Sequence, residues 1–457
     1  MSAILRRDIE SARSLFQGNL LTTGDSDFVP SHLGFNLYVQ HQPDAVVRAT
    51  STADVAAAAK LGVAHGLPVR VQSTGHGIGI PMIGGILVNT AGMQGVRIDP
   101  KQRRATVSAG VRWQEVITAA GSHNLATLCG SSPTVGVVGY TLGGGMGPMA
   151  RTFGFASDRV RRAQLVDAAG QIHEVNPVRE PELFWALRGG KPDIGIVTEL
   201  EFDLVNAPNY YGGSIFFAGD QAATVLHEFA RWVPELPESV STSIALLRLP
   251  DIPEMPEPLR GRLSVHLRFV HIGDPEQGAK LLAPMRAISP PLIDMVDLTP
   301  AEAIPSVHQD PTEPMPARDE GLVLREFPAE AVDALLDLAG NDVETPLIMV
   351  EIRLMGGALA RSGEHASAVG GREGAFNVCV IGPYPPPLAE AVDAASAAVF
   401  AALRPWSMRS SLINFQGAAT SPEQVRRAWH SDTRDRLDTL KKEWDPSGVF
   451  RFAYSSV

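Results

Sequence analysis

Two glycine-dense loops, each after an extended segment, are the parts of this sequence best suited to chemistry. The first, Ser73–Gly79, follows a predicted strand over 68–72 and carries His76 between two glycines. The second lies within residues 129–147. Backbone N–H groups in such loops can cradle a pyrophosphate because no Cβ stands in the way. One such loop could equally mark a turn, but two in one domain favour a nucleotide.

The histidine adds a second possibility, because an imidazole on an accessible loop is a competent nucleophile. A lone histidine is more often structural, so spacing alone leaves both interpretations open. Neither loop fits the GxGxxG dinucleotide fingerprint with a later acidic residue, and no Gly-Lys-Ser/Thr phosphate loop occurs. The pattern therefore indicates a nucleotide site of another type.

Metal chemistry is disfavoured. His266 and His271 lie five positions apart in the sequence, and this odd spacing places them on opposite faces of a strand. The two cysteines, Cys129 and Cys379, form no CxxC or Cys/His spacing. We expect no metal site.

Short strands alternate with helices over 44–210, and these elements must position the loops. Longer strands at 263–271 and 347–354 indicate a second domain on a mainly antiparallel sheet with helices on one face. Prolines crowd 304–316, which predicts a surface loop there. The remaining predicted elements are helices at 52–66, 113–123, 181–188, 220–233, 275–286, 328–338, 388–402 and 422–444, and strands at 86–89, 94–98, 104–108, 163–167, 171–175, 195–205 and 375–380.

Composition bounds the class of protein. The 457 residues exceed the usual size of one hydrophobic core, and 44% apolar with 19% charged residues is ordinary for a folded globular protein. The formal charge of −11 disfavours a nucleic-acid partner. The N-terminus lacks the apolar run of a signal peptide and no stretch is long enough to span a membrane, so we expect a cytoplasmic protein. Nothing in the sequence indicates an oligomeric state.

Several motifs in one order resemble a known family. Val71–Gly77 resembles the V-R-S-G-G-H-S loop of the vanillyl-alcohol-oxidase/PCMH-type FAD-linked oxidase superfamily, berberine-bridge-enzyme-like branch, with departures at Gln72 and Thr74. Further matching segments are Ser132–Gly139 (C-P-T-V-G-x-x-G), Leu142–Gly147 (GGGxG), Glu182–Gly190 (D-L-F-W-A-L-R-G-G), Gly195–Thr198 (G-I-V-T), Ile413–Phe415 (N-F/Y) and Arg436–Arg451 (R-L…K…Y-D-P…V-F-R).

The resemblance implies an α+β fold in which a PCMH-type FAD-binding unit is joined to a substrate domain built on an antiparallel sheet flanked by helices. The implied boundaries are 1–206 for the FAD-binding domain, 207–404 for the substrate-binding domain, and 405–457 for a segment that returns to the FAD domain.

The resemblance also implies the cofactor and its ligands. His76 would bond the 8α-methyl carbon of FAD. Ser132 stands where bicovalent members have a cysteine, so no cysteinyl link is expected. The other implied cofactor-binding residues are Val71, Ser73, Thr74, Gly75, Gly77, Ser132, Pro133, Thr134, Val135, Gly136, Gly139, Tyr140, Gly144, Val197 and Asn414.

The implied reaction is hydride transfer from a C–H bond beside a hydroxyl or amine of a small molecule. Glu351 is the candidate base and Arg353 a candidate for holding a substrate oxygen, the alternative being an ordinary Glu–Arg surface pair. Tyr140 lies near the expected flavin edge as a further catalytic candidate. Leu412 replaces the tyrosine that many members use. We expect a modest, largely apolar substrate with one hydroxyl or amine, since the substrate domain shows no charged cluster that demands a phosphate and no repeated aromatic platform for sugar chains.

The electron acceptor follows from Val135, because a valine at this position leaves oxygen a path to the flavin in relatives. We therefore expect an oxidase that produces H2O2. Three alternatives stay open: a dehydrogenase with another acceptor, a natural-product oxidative cyclase, and a small-molecule binding protein without catalysis.

Overall fold

The computed structural model describes residues 3–77, 80–191, 193–417 and 421–451. The helices are α1 (Ala3–Ser11), α2 (Thr52–His65), α3 (Trp113–Gly121), α4 (Val137–Leu142), α5 (Ala150–Phe153), α6 (Pro181–Leu187), α7 (Ala222–Trp232), α8 (Pro275–Arg286), α9 (Ala329–Ala339), α10 (Ala389–Leu403), α11 (Pro422–Arg426) and α12 (Ser431–Trp444).

The strands alternate with these helices in the first half of the chain and are longer in the second half. They are β1 (Asn19–Thr22), β2 (Ala45–Arg48), β3 (Val69–Gln72), β4 (Ile86–Asn89), β5 (Val96–Asp99), β6 (Arg104–Ser108), β7 (Val160–Val166), β8 (Ile172–Val175), β9 (Ile196–Asp203), β10 (Asn209–Ala218), β11 (Val240–Arg248), β12 (Leu263–His271), β13 (Ile293–Asp294), β14 (Asp297–Pro300), β15 (Ala317–Leu324), β16 (Met349–Leu354) and β17 (Phe376–Pro383).

Two smaller sheets belong to the first half of the chain. A four-stranded sheet has the order β1-β2-β4-β3, with β2 and β3 both parallel to β4. An antiparallel five-stranded sheet has the order β5-β6-β9-β7-β8. One buried apolar cluster belongs to the five-stranded sheet, and a second joins α2 and the four-stranded sheet to Val166 and Ile196 of the five-stranded sheet. Helix α2 therefore packs against both sheets.

The third sheet has eight strands and is antiparallel throughout. Its order is β13-β10-β12-β11-β16-β17-β15, and β14 pairs with β10. One face packs on α7, α9 and α10 through a large apolar cluster. The predicted antiparallel sheet with helices on one face is thus confirmed, and the α+β class with it.

Local signals located several elements correctly. The Ser51 hydroxyl accepts a hydrogen bond from the Asp54 N–H, and Gly66 ends α2 in the left-handed region at φ +64°. The bounds predicted for β12 and α8 match those observed. The single helix predicted over 422–444 is wrong, because residues 427–430 separate α11 from α12.

The last part of the chain packs on the first half. The Lys441 ammonium donates to the Asp193 carbonyl at 2.5 Å and to the Phe450 carbonyl at 2.6 Å. Phe450 pairs in parallel with Val69 at the edge of the four-stranded sheet. These contacts fix the C-terminal segment beside β3, the strand that leads into the first glycine loop.

Candidate functional site between the glycine loops and the large sheet

The first loop leaves β3 in a conformation that needs glycine. Gly75 has φ +71°, and a Cβ there would collide with the backbone of Gly34. The neighbouring Phe35 stacks on the imidazole of His76, with ring centroids 3.9 Å apart. The backbone of the loop is therefore held against the 34–35 segment while His76 is fixed by an aromatic ring.

His76 joins the two glycine loops. Its Nδ1 lies 2.9 Å from the Thr74 hydroxyl, and its Nε2 lies 3.2 Å from the hydroxyl of Thr134 in the second loop. The Gly136 N–H donates to Thr74 Oγ1 at 3.3 Å. Burial, with a smaller effect from Arg112, lowers the pKa of His76 to about 4. The imidazole is therefore neutral at neutral pH and keeps a free electron pair.

The second loop wraps around the start and end of α4. Gly144 has φ +100°, which L side chains rarely adopt. The Ser132 hydroxyl lies 2.9 Å from that of Thr134. Cys129 is buried in the core of the five-stranded sheet, and this burial raises the pKa of its thiol to about 12. Cys129 thus belongs to the packing beneath the loop.

Lys191 and Asn414 complete this half of the site. The Lys191 side chain passes Gly143 and ends beside Gly77, so it touches both glycine loops. Asn414 Nδ2 donates to the Tyr140 carbonyl at 2.8 Å. Sequence reasoning found Asn414 but missed Lys191, whose signal was a lysine directly after the Gly189-Gly190 pair.

The other predicted cofactor residues line or support the loops. Val71 and Val197 pack into the cores of the two small sheets, and Gly139 is exposed on α4. The Ser73 hydroxyl is buried without a hydrogen-bond partner among the described residues. Pro133 and Val135 are half-buried at the loop surface.

Tyr140 has its ring edge-on to Trp113, with centroids 5.6 Å apart. Its hydroxyl is buried and has no hydrogen-bond partner within the described part of the chain. Burial and the nearby Cys129 raise the pKa of the phenol well above its ordinary value, and the Arg353 charge opposes that rise. The fold therefore brings Tyr140 within electrostatic range of the predicted catalytic arginine.

The other half of the site is one face of the eight-stranded sheet. Antiparallel partners lie on the same face. The register pairs Ser243 with both Arg268 and Arg353, and pairs Arg353 with Asn377 and Glu351 with Cys379. Residues from four strands therefore form a continuous polar face.

Glu351 and Arg353 are not a surface pair, so that alternative is wrong. Glu351 is 2% exposed and Arg353 9%. Glu351 Oε1 lies 3.0 Å from Nη1 of Arg268, and Oε2 lies 2.9 Å from Nη2 of Arg353. Burial alone would raise the pKa of this carboxyl, but the two arginines outweigh it and hold the pKa well below its ordinary value. The carboxylate is therefore ionised at any physiological pH.

His308 joins this cluster from the turn before β15. The prediction of a surface loop over 304–316 is wrong at its start, because His308 is 6% exposed. Its Nε2 lies 3.4 Å from Glu351 Oε1. Burial, and then Arg353, lower its pKa to about 4, so the ring is neutral. No signal in the sequence distinguished His308, since it follows prolines in a segment typical of exposed loops.

The two halves face each other across two cavities. One is lined by Gly147 of the second loop together with Ser243, Arg268, His308 and Arg353 of the sheet side. The other is lined by Gly77, Lys191, Asp319 and Asn414. Each cavity is therefore bordered by a glycine loop and by polar side chains of the large sheet, and we call the two cavities together the cleft.

The residues present fit a dinucleotide. Gly75 and Gly144 give backbone that can approach a phosphate, and Lys191 supplies a cation where the loops meet. Among the described residues, no group of three or more histidine, cysteine or acidic side chains is arranged to hold a metal ion. Within the same residues, every helix is too short or too polar to cross a bilayer.

Comparison with known proteins agrees with this geometry. Residues 43–176 match the family model described as FAD binding domain. The chain is 31% identical to (R)-6-hydroxynicotine oxidase of Paenarthrobacter nicotinovorans over 234 residues, 50% of this chain and 48% of that protein. It is 26% identical to the FAD-linked oxidoreductase YvdP of Bacillus subtilis over 96% of this chain and 97% of the relative.

A solved structure shows the same fold over nearly the whole chain. The crystal structure of 6-hydroxy-D-nicotine oxidase from Arthrobacter nicotinovorans superposes with a TM-score of 0.83 and 23% identity, covering 96% of this chain and 98% of the other. The alignment with the 6-hydroxynicotine oxidase sequence spans about half the length of that relative. The fold is therefore shared end to end, while sequence similarity to that relative is concentrated in one part.

Proposed function

We propose that the chain is an oxidase of a small organic substrate within the vanillyl-alcohol-oxidase/PCMH-type superfamily of FAD-linked oxidoreductases, a proposal supported by the FAD-binding family match, the similar sequences and the shared fold. Bound FAD supplies a hydride acceptor for a C–H bond beside a hydroxyl or amine, and O2 then accepts the electrons to give H2O2. The observation that carries the proposal is the cleft between the two glycine loops and the polar face of the large sheet.

We propose that FAD is attached through His76 alone. The neutral imidazole has the electron pair that a bond to the 8α-methyl carbon would require, and Phe35, Thr74 and Thr134 fix its orientation. The C–H bond replaced in that step would release its proton to solvent and its two electrons to the flavin, from which O2 would take them. Ser132 offers a hydroxyl in place of a thiol, and Cys129 is buried in the core below. A single histidyl link is therefore the attachment these residues support.

The proton of the reacting hydroxyl or amine needs an acceptor in the cleft. Glu351 was the candidate from sequence, but Arg268 and Arg353 hold its two carboxylate oxygens, and it is not among the residues that line the two cavities. We propose that His308 takes the proton. Its ring is neutral, both nitrogens lack hydrogen-bond partners among the described residues, and the ring borders the cleft. Glu351 then acts as a positioning residue that stabilises the imidazolium.

Acid denaturation tests the cofactor assignment. We expect yellow colour to stay with the polypeptide of the purified full chain, and mass spectrometry to place the modification on the peptide that contains His76. His76→Ala should release the flavin, whereas His227→Ala, on the outer helix α7, should retain it. Release of flavin from the unmodified chain would refute the covalent link, and a colourless chain would refute the flavoenzyme.

Kinetics test the role of His308. In His308→Gln we expect kcat to fall by roughly 10²–10⁴-fold, the usual contribution of a positioned acid or base, with KM little changed. Because its pKa is about 4, the rate of the unmodified enzyme should decline only as pH falls towards 4, where the imidazole becomes protonated. The control is His271→Gln, a buried histidine on the opposite face of β12. An equal loss in both variants would assign His308 to packing.

A further inference from the structure

Several buried nitrogen and oxygen atoms on the polar face of the large sheet have no hydrogen-bond partner among the described residues. Buried polar atoms normally have partners, so a cluster without them calls for a ligand or water. Within the described part of the chain, side-chain atoms without a hydrogen-bond partner occur on six residues of this face and its surroundings: Ser243, His266, Arg268, His308, Arg353 and Asn377. Four of them, Ser243, Arg268, His308 and Arg353, line the same cavity.

The charges of this cluster do not balance. Arg268 and Arg353 are 2% and 9% exposed, and they share the single carboxylate of Glu351. Burial lowers the pKa of both guanidiniums, and the negative charge of the nearby Asp310 opposes this effect. Asp310 is half-buried, and among the described residues it forms no ion pair with either arginine. A buried positive charge without a close counter-ion is costly.

The two arginines keep donor atoms that Glu351 does not satisfy. Each Nε lacks a partner among the described residues, whereas one Nη atom of each arginine donates to Glu351. Both residues line the same cavity as Ser243 and His308. A neutral polyol would satisfy hydroxyl and amide groups but leave the positive charge, and a cationic amine would be repelled by it.

We propose that the substrates of this cleft carry a carboxylate, which Arg353 and Arg268 bind while the oxidisable C–H bond lies on the side of the glycine loops. This inference rests on the proposed oxidase function and names its substrate class. It replaces the largely apolar substrate expected from sequence. Hydrogen bonds between a carboxylate and a guanidinium are among the strongest in proteins, and a carboxylate would supply the counter-charge that the two arginines lack.

Binding of a carboxylate has a consequence for His308. Arg353 and Arg268 both lower the pKa of that imidazole, together with burial. A negative charge placed on the arginines offsets their effect, so His308 gains proton affinity when an acid is bound. Recognition of the carboxylate and acceptance of the proton are thereby coupled, which favours turnover of acids over neutral analogues.

Calorimetric titration of the purified FAD-containing chain with benzoate and with benzamide tests the proposal. The two probes have nearly the same shape and differ in charge, and neither has the C–H bond beside a hydroxyl or amine that the reaction requires. We expect benzoate to bind on the order of tenfold tighter or more, the effect of one charge-assisted contact. Arg353→Met should abolish the preference and Arg353→Lys should restore part of it.

The control is Arg361→Met, which removes an exposed arginine paired with Glu238 and should leave both affinities unchanged. Equal affinity for the two probes, binding of neither, or a preference that survives in Arg353→Met would each overturn the proposal. The visible absorbance of the same sample reports flavin separately. A yellow protein without carboxylate preference refutes the substrate class alone, whereas a colourless protein refutes the oxidase.

Discussion

The two faces of the eight-stranded sheet are built from the same strands and have opposite characters. Leu267 and Ile352 are fully buried against the helices, whereas their chain neighbours Arg268 and Glu351 lie buried on the side of the cleft. Alternation of side chains along a strand puts adjacent residues on opposite faces. One face therefore stabilises the fold by apolar burial, and the other holds charges at a cost in stability.

If stability alone mattered, apolar residues would serve as well at these charged positions, because replacing a buried ion pair with apolar residues is often neutral or stabilising. We therefore interpret the buried charges as groups that bind a ligand. A sheet with one face committed to packing can hold a reactive face rigidly. The difference between the faces predicts which substitutions change stability and which change binding.

The largest effect is expected for Glu351→Gln. This change leaves Arg268 and Arg353 buried without their shared carboxylate, which costs about 3–5 kcal/mol of unfolding free energy. The matched control is Ile352→Val, the next residue on the other face, for which a loss of about 0.5–1.5 kcal/mol is expected. Urea unfolding measures both. Similar losses in the two variants would mean that the charge cluster has no special weight.

Leu267→Ala should destabilise the fold without altering recognition. The side chain is fully buried among the helices, so its removal costs about 2–5 kcal/mol through lost burial and a cavity. Benzoate affinity should stay as it is in the unmodified chain, because the change lies on the face away from the cleft. A large change in benzoate affinity at a temperature where the variant is folded would show that the packing face and the polar face do not act independently.

Asp319 gives a smaller effect that depends on pH. This carboxyl lies on the polar face, and burial raises its pKa from 3.8 to about 6. The folded chain then holds a proton that the unfolded chain releases between these values, so stability falls as pH rises from about 4 to 6. At pH 7 Asp319→Asn should gain about 2–3 kcal/mol, at roughly 1.4 kcal/mol per unit of pKa.

The gain in Asp319→Asn should shrink towards zero at pH 4, where both folded and unfolded carboxyls hold the proton. Urea unfolding of the two chains at pH 4 and pH 7 measures the difference. An equal gain in unfolding free energy at both pH values would show that the asparagine acts through packing, and that burial does not raise the pKa of the Asp319 carboxyl.

The elements that could be predicted are those whose signals lie within their own sequence. Helix α2 has a hydroxyl cap and a glycine stop within its own sequence, and apolar and polar residues alternate along most of β12, so both were located. The break at 427–430 was missed because the helical pattern continues across it. His308 was missed because prolines indicate exposure, whereas the turn at 301–307 packs beneath the sheet and carries the ring inward.

The sequence by itself determined the flavin half of the site. The residues of each glycine loop are contiguous, and the backbone conformations they need depend on glycine at particular positions, as at Gly75 and Gly144. The tertiary structure alone decided the substrate half. Arg268, His308 and Glu351 are separated by tens of residues, and only strand register and the packing of one turn bring them together. Their charge and pKa depend on burial and proximity, which no local pattern of residues encodes.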